Sequence, residues 1–170
     1  SQQFEAFSSP NYPILAEVGV NIKYNSSYFL QSNSQKLKVN TSLTNDVCLI
    51  KLFPSIKKEV ISSMINTSNN IVIESFGSGN ASDQSWFLDK LSNAVNEEKL
   101  IVNCSQCLVG NVKQGEYETG SKLEKIGVIS AGDMTTEAAI TKLMFLSGKD
   151  ISLNKKKTLF KNNLRGEITE

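Results

Sequence analysis

No histidine occurs among the 170 residues, and that absence excludes more chemistry than any motif admits. Ser-His-Asp and Cys-His nucleophilic machinery cannot be assembled from this chain alone, and neither can a zinc site that uses imidazole. Cysteine is scarce as well. Cys48, Cys104 and Cys107 are the three present, an odd number that argues against a disulfide framework. Neither sign of charge dominates, with 18 basic residues against 17 acidic ones, so there is no electrostatic footprint for nucleic acid or an anionic membrane. No apolar run approaches the ~20 residues of a membrane span, and the opening "SQQFEAFSSP" lacks the basic and apolar regions of a signal peptide. These absences predict a soluble, intracellular domain with no membrane and no nucleic-acid partner. A chain of this length fits one domain able to bury roughly 70% of its unfolded surface.

What is present is alternation. "NDVCLIKLF" (45–53) is an apolar, β-favouring run closed by Pro54, which suits a strand ending where a helix begins. Ile56, Val60, Ile61, Met64 and Ile65 then recur at helical spacing. "NIVIESF" (70–76) reads as a second strand, and Phe87, Leu88, Leu91, Ala94 and Val95 make one helical face after it. "KLIVNC" (99–104) is a third strand, and "SKLEKIGVIS" gives a short helix with a fourth strand near 126–130. "DMTTEAAITKLMFLSG" is a helix with Asp133 or Thr135 as N-cap and Gly148 as stop, and a basic helix covers 152–163. Four strand–helix alternations at short spacing predict an α/β fold: a Rossmann-like parallel sheet of about four strands, with helices on both faces and right-handed crossovers. The first 44 residues are less regular; Pro10 and Pro13 frame a linker-like start, with a short helix and weak strands within 14–43.

Ligands of open α/β sheets bind beyond the carboxyl ends of the strands, which points to loops 77–83, 105–120 and 131–134. The first, Gly77-Ser78-Gly79-Asn80, resembles the phosphate-binding G-x-G-x-x-G, but Ser82 stands at the third glycine position. The acidic residues that would hold a ribose, Glu97 and Glu98, fall at a helix end rather than a strand end. Glycines that permit a tight strand-to-helix turn need no ligand. Neither reading accounts for Asn80 at the crown of the turn. Cys104 and Cys107 form a single C-x-x-C unit, a weak zinc signal without a second pair, and ordinary buried or half-buried thiols explain it better. Among the carboxylates near these loops, Glu74, Glu118, Asp133 and Glu137, spacing alone pairs none for acid–base work. Lys155-Lys156-Lys157 reads as a solvated helix face.

Several segments together resemble the C-terminal domain of cytoplasmic (type I) L-asparaginases. They are "AFSSPNYPILAEVGV" (6–20), "KLFPSI" (51–56), "FGSGNA" (76–81), "VNCSQCLVG" (102–110), "YETG" (117–120), "GVISAGDMTTEAAITKL" (127–143) and "NLRGEIT" (163–169). "GDMTTEAAITKL" and "LRGE" are the specific ones, and "LRGE" favours the cytoplasmic over the periplasmic type.

The resemblance implies residues 1–19 as interdomain linker and 20–170 as the C-terminal α/β domain, with the catalytic N-terminal domain absent from this chain. It implies hydrolysis of the L-asparagine side-chain amide to aspartate and ammonia through an acyl-enzyme on a threonine of that other domain. No cofactor or metal is implied. The partners implied are L-asparagine, the N-terminal domain of the same enzyme, and further copies in a homodimer or dimer of dimers. Asn80 would complete a neighbouring active site across the dimer interface, with Gly79 allowing close backbone approach. A carboxamide suits that role because it offers donors and an acceptor to an α-carboxylate and an α-ammonium together. An allosteric asparagine pocket of some relatives maps onto Glu74, Ser105 and Cys107. The basic residue expected at position 74 is here a glutamate, which would repel a ligand carboxylate, so asparagine activation is expected to be lost or altered. Two further readings stay open: an asparaginase-like subunit of a tRNA-dependent amidotransferase, and a non-enzymatic amino-acid-binding or dimerisation module.

Overall fold

A computed structural model describes residues 9, 11–31, 36, 37, 39–115 and 118–169; the side chains of residues 118 and 119 also lie outside it. Pro10 and residues 1–8 of the expected linker therefore lie outside the described residues. Two compact units result, residues 1–40 and 41–170.

In the first unit, β1 (Ala16–Val18) pairs antiparallel with β2 (Ile22–Tyr24). A 3-10 turn at Ser26–Tyr28 follows, and the Tyr12 hydroxyl donates to the Tyr28 carbonyl at 3.0 Å. This hairpin straddles the position at which the linker was expected to end.

The second unit runs β3 (Val47–Lys51), α1 (Lys58–Thr67), β4 (Asn70–Ser75), α2 (Ser85–Asn96), β5 (Leu100–Ser105), α3 (Glu118–Ile126), β6 (Ile129–Ser130), α4 (Thr136–Ser147) and α5 (Leu153–Lys161). Its four strands are parallel and lie in sequence order, β3-β4-β5-β6. Each crossover steps one strand in the same direction, so right-handed connections place α1, α2 and α3 on one face. The packing agrees. Ile61, Ile65, Phe87, Leu91 and Leu123 from those helices cover Ile50, Ile71, Ile73 and Ile101. Residues of opposite parity, Val72, Leu100, Val102 and Cys104, point the other way and are covered by Ala139, Leu143 and Leu146 of α4 and Phe160 of α5. Because both faces are covered, "IVI" and "LIV" are buried at every position, which is why these strands read as continuous apolar runs.

The ends of α4 refine the expected signals. Thr135 is the N-cap, accepting from the Ala138 amide at 3.2 Å. Asp133 instead accepts from the Thr169 amide at 2.9 Å and from its hydroxyl at 2.5 Å. Gly148 closes the helix at φ −72°, not in a left-handed conformation. Glycine is required there by crowding, since a Cβ would stand 2.8 Å from the Ser42 carbonyl carbon.

Candidate functional site

All four strands end on one edge of the sheet, and the loop after β4 is held there from every side. The Phe76 amide donates to the Asn80 carbonyl at 2.8 Å, while the Gly79 and Asn80 amides donate to the Phe76 carbonyl at 3.0 and 2.8 Å. The intervening carbonyls are taken by donors from β5 and the segment beyond it. Ser105 Oγ donates to the Gly77 carbonyl at 2.5 Å, the Lys113 amide to Ser78 at 3.2 Å, and Asn103 Nδ2 to Gly79 at 3.0 Å. Every carbonyl from Phe76 to Asn80 therefore has a donor, and the loop is a fixed feature of the domain.

This geometry decides the phosphate question. A phosphate cradle needs backbone N–H groups turned outward at a helix N-terminus. Here the Gly79 and Asn80 amides are spent inside the loop, and α2 does not begin until Ser85. Gly77 at φ +51° and Gly79 at φ +105° adopt conformations that favour glycine. Gly79 is also pressed against its support: a Cβ would lie 2.6 Å from Val112 Cγ1 and 3.2 Å from Asn103 Nδ2. Gly79 itself is buried and Asn80 half-buried. The crown of the turn is formed by residues 77–79, and Asn80, expected at the crown, instead closes it as the bridge partner of Phe76.

Glu74, Ser105 and Cys107 fall in the same region, on neighbouring strand ends. Glu74 is engaged: its Oε1 accepts from Thr136 Oγ1 at 2.6 Å, and its Oε2 faces Lys51 Nζ at 3.3 Å. Lys51 is its direct register partner on β3. Ser105 Oγ, besides holding Gly77, accepts from the Cys107 amide at 3.0 Å. Gln106 Nε2 donates to the Leu52 and Glu74 carbonyls at 2.6 and 3.0 Å, tying three strand ends together.

The cysteines do not act as a pair. Cys104 is buried and Cys107 exposed. Burial, with the Glu74 and Glu137 carboxylates added, pushes the Cys104 thiol up to about 12. It is an inert core thiol at neutral pH. Among the described residues, no group of three or more Cys, Asp or Glu side chains is placed to hold a metal ion, and no helix is long and apolar enough to cross a membrane. The Glu118 side chain lies outside the described residues. Glu137 sits in the first turn of α4, where its charge complements the helix dipole.

The closing "NLRGEIT" segment is latched onto α4. Lys142 Nζ meets Glu167 Oε1 at 2.5 Å and donates to the Asn162 carbonyl at 2.6 Å. The Glu167 carboxylate also accepts from the Leu164 and Arg165 amides. Burial alone would raise the Glu167 carboxyl, but Lys142 and the backbone amides outweigh it and hold it below the usual range. Ile168 then packs over Gly132, and the Gly132 carbonyl receives the Val112 amide at 2.9 Å. The end of the segment thus bears on Gly132, whose carbonyl anchors the Val112 amide.

Two of these residues are not among the expected site residues. Asn103 shows as a polar interruption of the apolar run "LIVNC", within segment 102–110 but with no role attached to it, and Val112 follows Leu108 and Val109 as one of three aliphatic residues in loop 105–120.

The profile of the Glutaminase/Asparaginase C-terminal domain matches residues 46–160. The chain is 36% identical over 172 residues to the mouse 60 kDa lysophospholipase, covering 99% of this chain and 30% of that protein. It is 32% identical over 167 residues to L-asparaginase 1 of Escherichia coli K12, covering 98% of this chain and 49% of the other. A glutamyl-tRNA(Gln) amidotransferase component of Methanosphaera stadtmanae is 33% identical over 168 residues, covering 96% of this chain and 38% of that protein. Among solved structures, L-asparaginase I from Vibrio cholerae superposes with a TM-score of 0.89 at 38% identity, over 97% of this chain and 50% of that one. The chain thus spans half or less of the length of each of these proteins.

Proposed function

The chain belongs to the glutaminase/asparaginase family, with residues 46–160 as its C-terminal domain, and we propose that the protein carrying it hydrolyses L-asparagine to L-aspartate and ammonia. The chemistry is placed in a separate N-terminal domain. A threonine hydroxyl there attacks the side-chain amide carbon, ammonia leaves, and water cleaves the resulting ester to release aspartate and regenerate the threonine. The present domain supplies Asn80, which orients the substrate α-carboxylate and α-ammonium of a neighbouring subunit, and helps to form a homodimer or dimer of dimers in the cytoplasm. The domain alone is inactive, and neither metal nor organic cofactor takes part.

The observation that carries this reading is the loop from Phe76 to Asn80, whose carbonyls are all bonded, within a domain of this family. Fixed placement of a carboxamide is what substrate orientation demands. The test is ammonia release from L-asparagine by the full-length protein and by the 170-residue chain alone. Turnover by the first and none by the second is expected; turnover by the chain alone would defeat the division of labour.

Effector binding at Glu74, Ser105 and Cys107 is proposed to be lost or altered. The Glu74 carboxylate, paired with Lys51 and Thr136, puts negative charge where a ligand carboxylate would need a cation. Hyperbolic rather than sigmoidal asparagine kinetics are expected, and sigmoidal kinetics would contradict this.

A second reading is favoured by the likeness to the amidotransferase component. The near balance of 18 basic and 17 acidic residues counts against a tRNA-binding surface, and retention of tRNA by the full-length protein at low salt would promote that reading over the first.

A further inference from the structure

Asn103 is the one strongly polar side chain of β5 that is wholly enclosed, at 0% exposure. It lies between Ile73 of β4 and Ser130 of β6 in the register of the sheet. Burying a carboxamide in such a setting is unfavourable unless its hydrogen bonds are made, and an aliphatic residue would fill the same space without that cost. Only half of the amide is satisfied within the described residues: Nδ2 donates to the Gly79 carbonyl at 3.0 Å, while Oδ1 makes no hydrogen bond there. The bond to Gly79 is thus the one interaction that a leucine of similar size would forfeit.

That bond falls one residue before Asn80. It acts together with Val112, against which Gly79 is packed so closely that no Cβ fits. Val112 is in turn fixed through its amide to the Gly132 carbonyl at 2.9 Å and through its carbonyl to Ser130 Oγ at 2.6 Å. The Gly79 peptide is gripped from beneath by a hydrogen bond and by a side chain, both anchored in the sheet edge. A peptide so held passes its orientation to the next residue, because the planar peptide unit fixes the Gly79 carbonyl and the Asn80 α-carbon relative to each other.

We infer that Asn103, seated with Val112 under Gly79, is a positioning residue that sets the orientation of Asn80 toward substrate. The inference rests on Asn80 holding substrate, as proposed above, and Asn103 itself touches no substrate. A positioning residue works through its target, so its effect must depend on the target's presence.

The test is a double-mutant cycle in the full-length protein with Asn80→Ala, Asn103→Leu and the pair, reading kcat and KM for L-asparagine. Loss of one neutral hydrogen bond predicts that Asn103→Leu lowers kcat/KM by about 10-fold, with KM carrying most of it, but by less than about 2-fold when Asn80 is already alanine. Equal losses in both backgrounds, or no loss in a folded variant, overturn the inference. Amide exchange at Gly79 and Asn80 supplies a readout independent of substrate: it is expected to rise about tenfold in Asn103→Leu, and unchanged exchange also counts against the proposal. Should Asn103→Leu fail to fold, Val112→Ala loosens the same seat from its apolar side and must show the same dependence on Asn80. A wild-type protein that releases no ammonia from asparagine sinks the functional reading, and the exchange measurement then decides the role of Asn103 separately.

Discussion

Gly77 and Gly79 lie two residues apart at positive φ, yet alanine should be tolerated very differently at the two. Gly77 sits at φ +51° with nothing within 4 Å of an added Cβ. Its replacement costs only the left-handed backbone strain, about 1 kcal/mol. Gly79 sits at φ +105°, and its Cβ would stand 2.6 Å from Val112 Cγ1. Backbone strain of about 1–3 kcal/mol is joined there by an overpacking cost of about 1–3 kcal/mol. Val112 has little room to yield, because both its amide and its carbonyl are bonded. The expected total is about 4 kcal/mol, which for a domain of this size lowers Tm by roughly 10–20 °C, against about 3–5 °C for Gly77→Ala. Thermal unfolding of the 170-residue chain, followed by circular dichroism, compares the two directly. A Gly79→Ala variant that melts no lower than Gly77→Ala would refute the account of how the loop is seated.

Glu167→Gln removes one partner of a largely enclosed ion pair, with Lys142 4% and Glu167 15% exposed at the side chain. The loss should be about 2–3 kcal/mol in denaturant unfolding, below the figure for a fully buried pair. Because the folded Glu167 carboxyl lies below its ordinary range, its contribution is complete above the unfolded value of about 4.3 and is lost as pH falls through the folded one. The wild type should therefore lose stability more steeply than Glu167→Gln below about pH 4; parallel pH profiles would contradict the latch. Thiol labelling at neutral pH should modify exposed Cys107 and spare buried Cys104, whose thiol is pushed up to about 12, until the chain is unfolded. Mass spectrometry that finds Cys104 modified in the native protein would overturn that assignment.

The fold was legible because a parallel sheet covered on both faces writes its strands as unbroken apolar runs. "IVI" and "LIV" could hardly be anything else once helical faces were seen between them. β1 and β2 were visible only as weak strands, since most of their residues are exposed and leave no alternation of buried and exposed positions. Asp133 looked like a helix cap because capping is local, whereas its bonds go to Thr169, 36 residues away. Gly148 reads as a helix stop, and it does close α4, but only the path of Ser42 beside it shows why it is glycine. At the site, Asn80 is legible only through the family resemblance. Asn103 and Val112, which seat its loop, have no role legible in the sequence, and that role follows from the register of β5 and the return of the 110–115 segment. The pairing of Glu74 with Lys51 was written in the parallel register of β3 and β4, which only the aligned strands disclose.

The central claim is that this domain contributes Asn80 to an asparagine-hydrolysing site, and the most direct measurement is the steady-state hydrolysis of L-asparagine by the full-length protein with and without Asn80→Ala. Hydrogen bonds from a carboxamide to charged substrate groups are each worth about 1.5–3 kcal/mol, so kcat/KM should fall by about 10–100-fold, through a higher KM and a lower kcat, with the oligomer intact. Unchanged kinetics in an intact oligomer would remove Asn80 from the site and the claim with it.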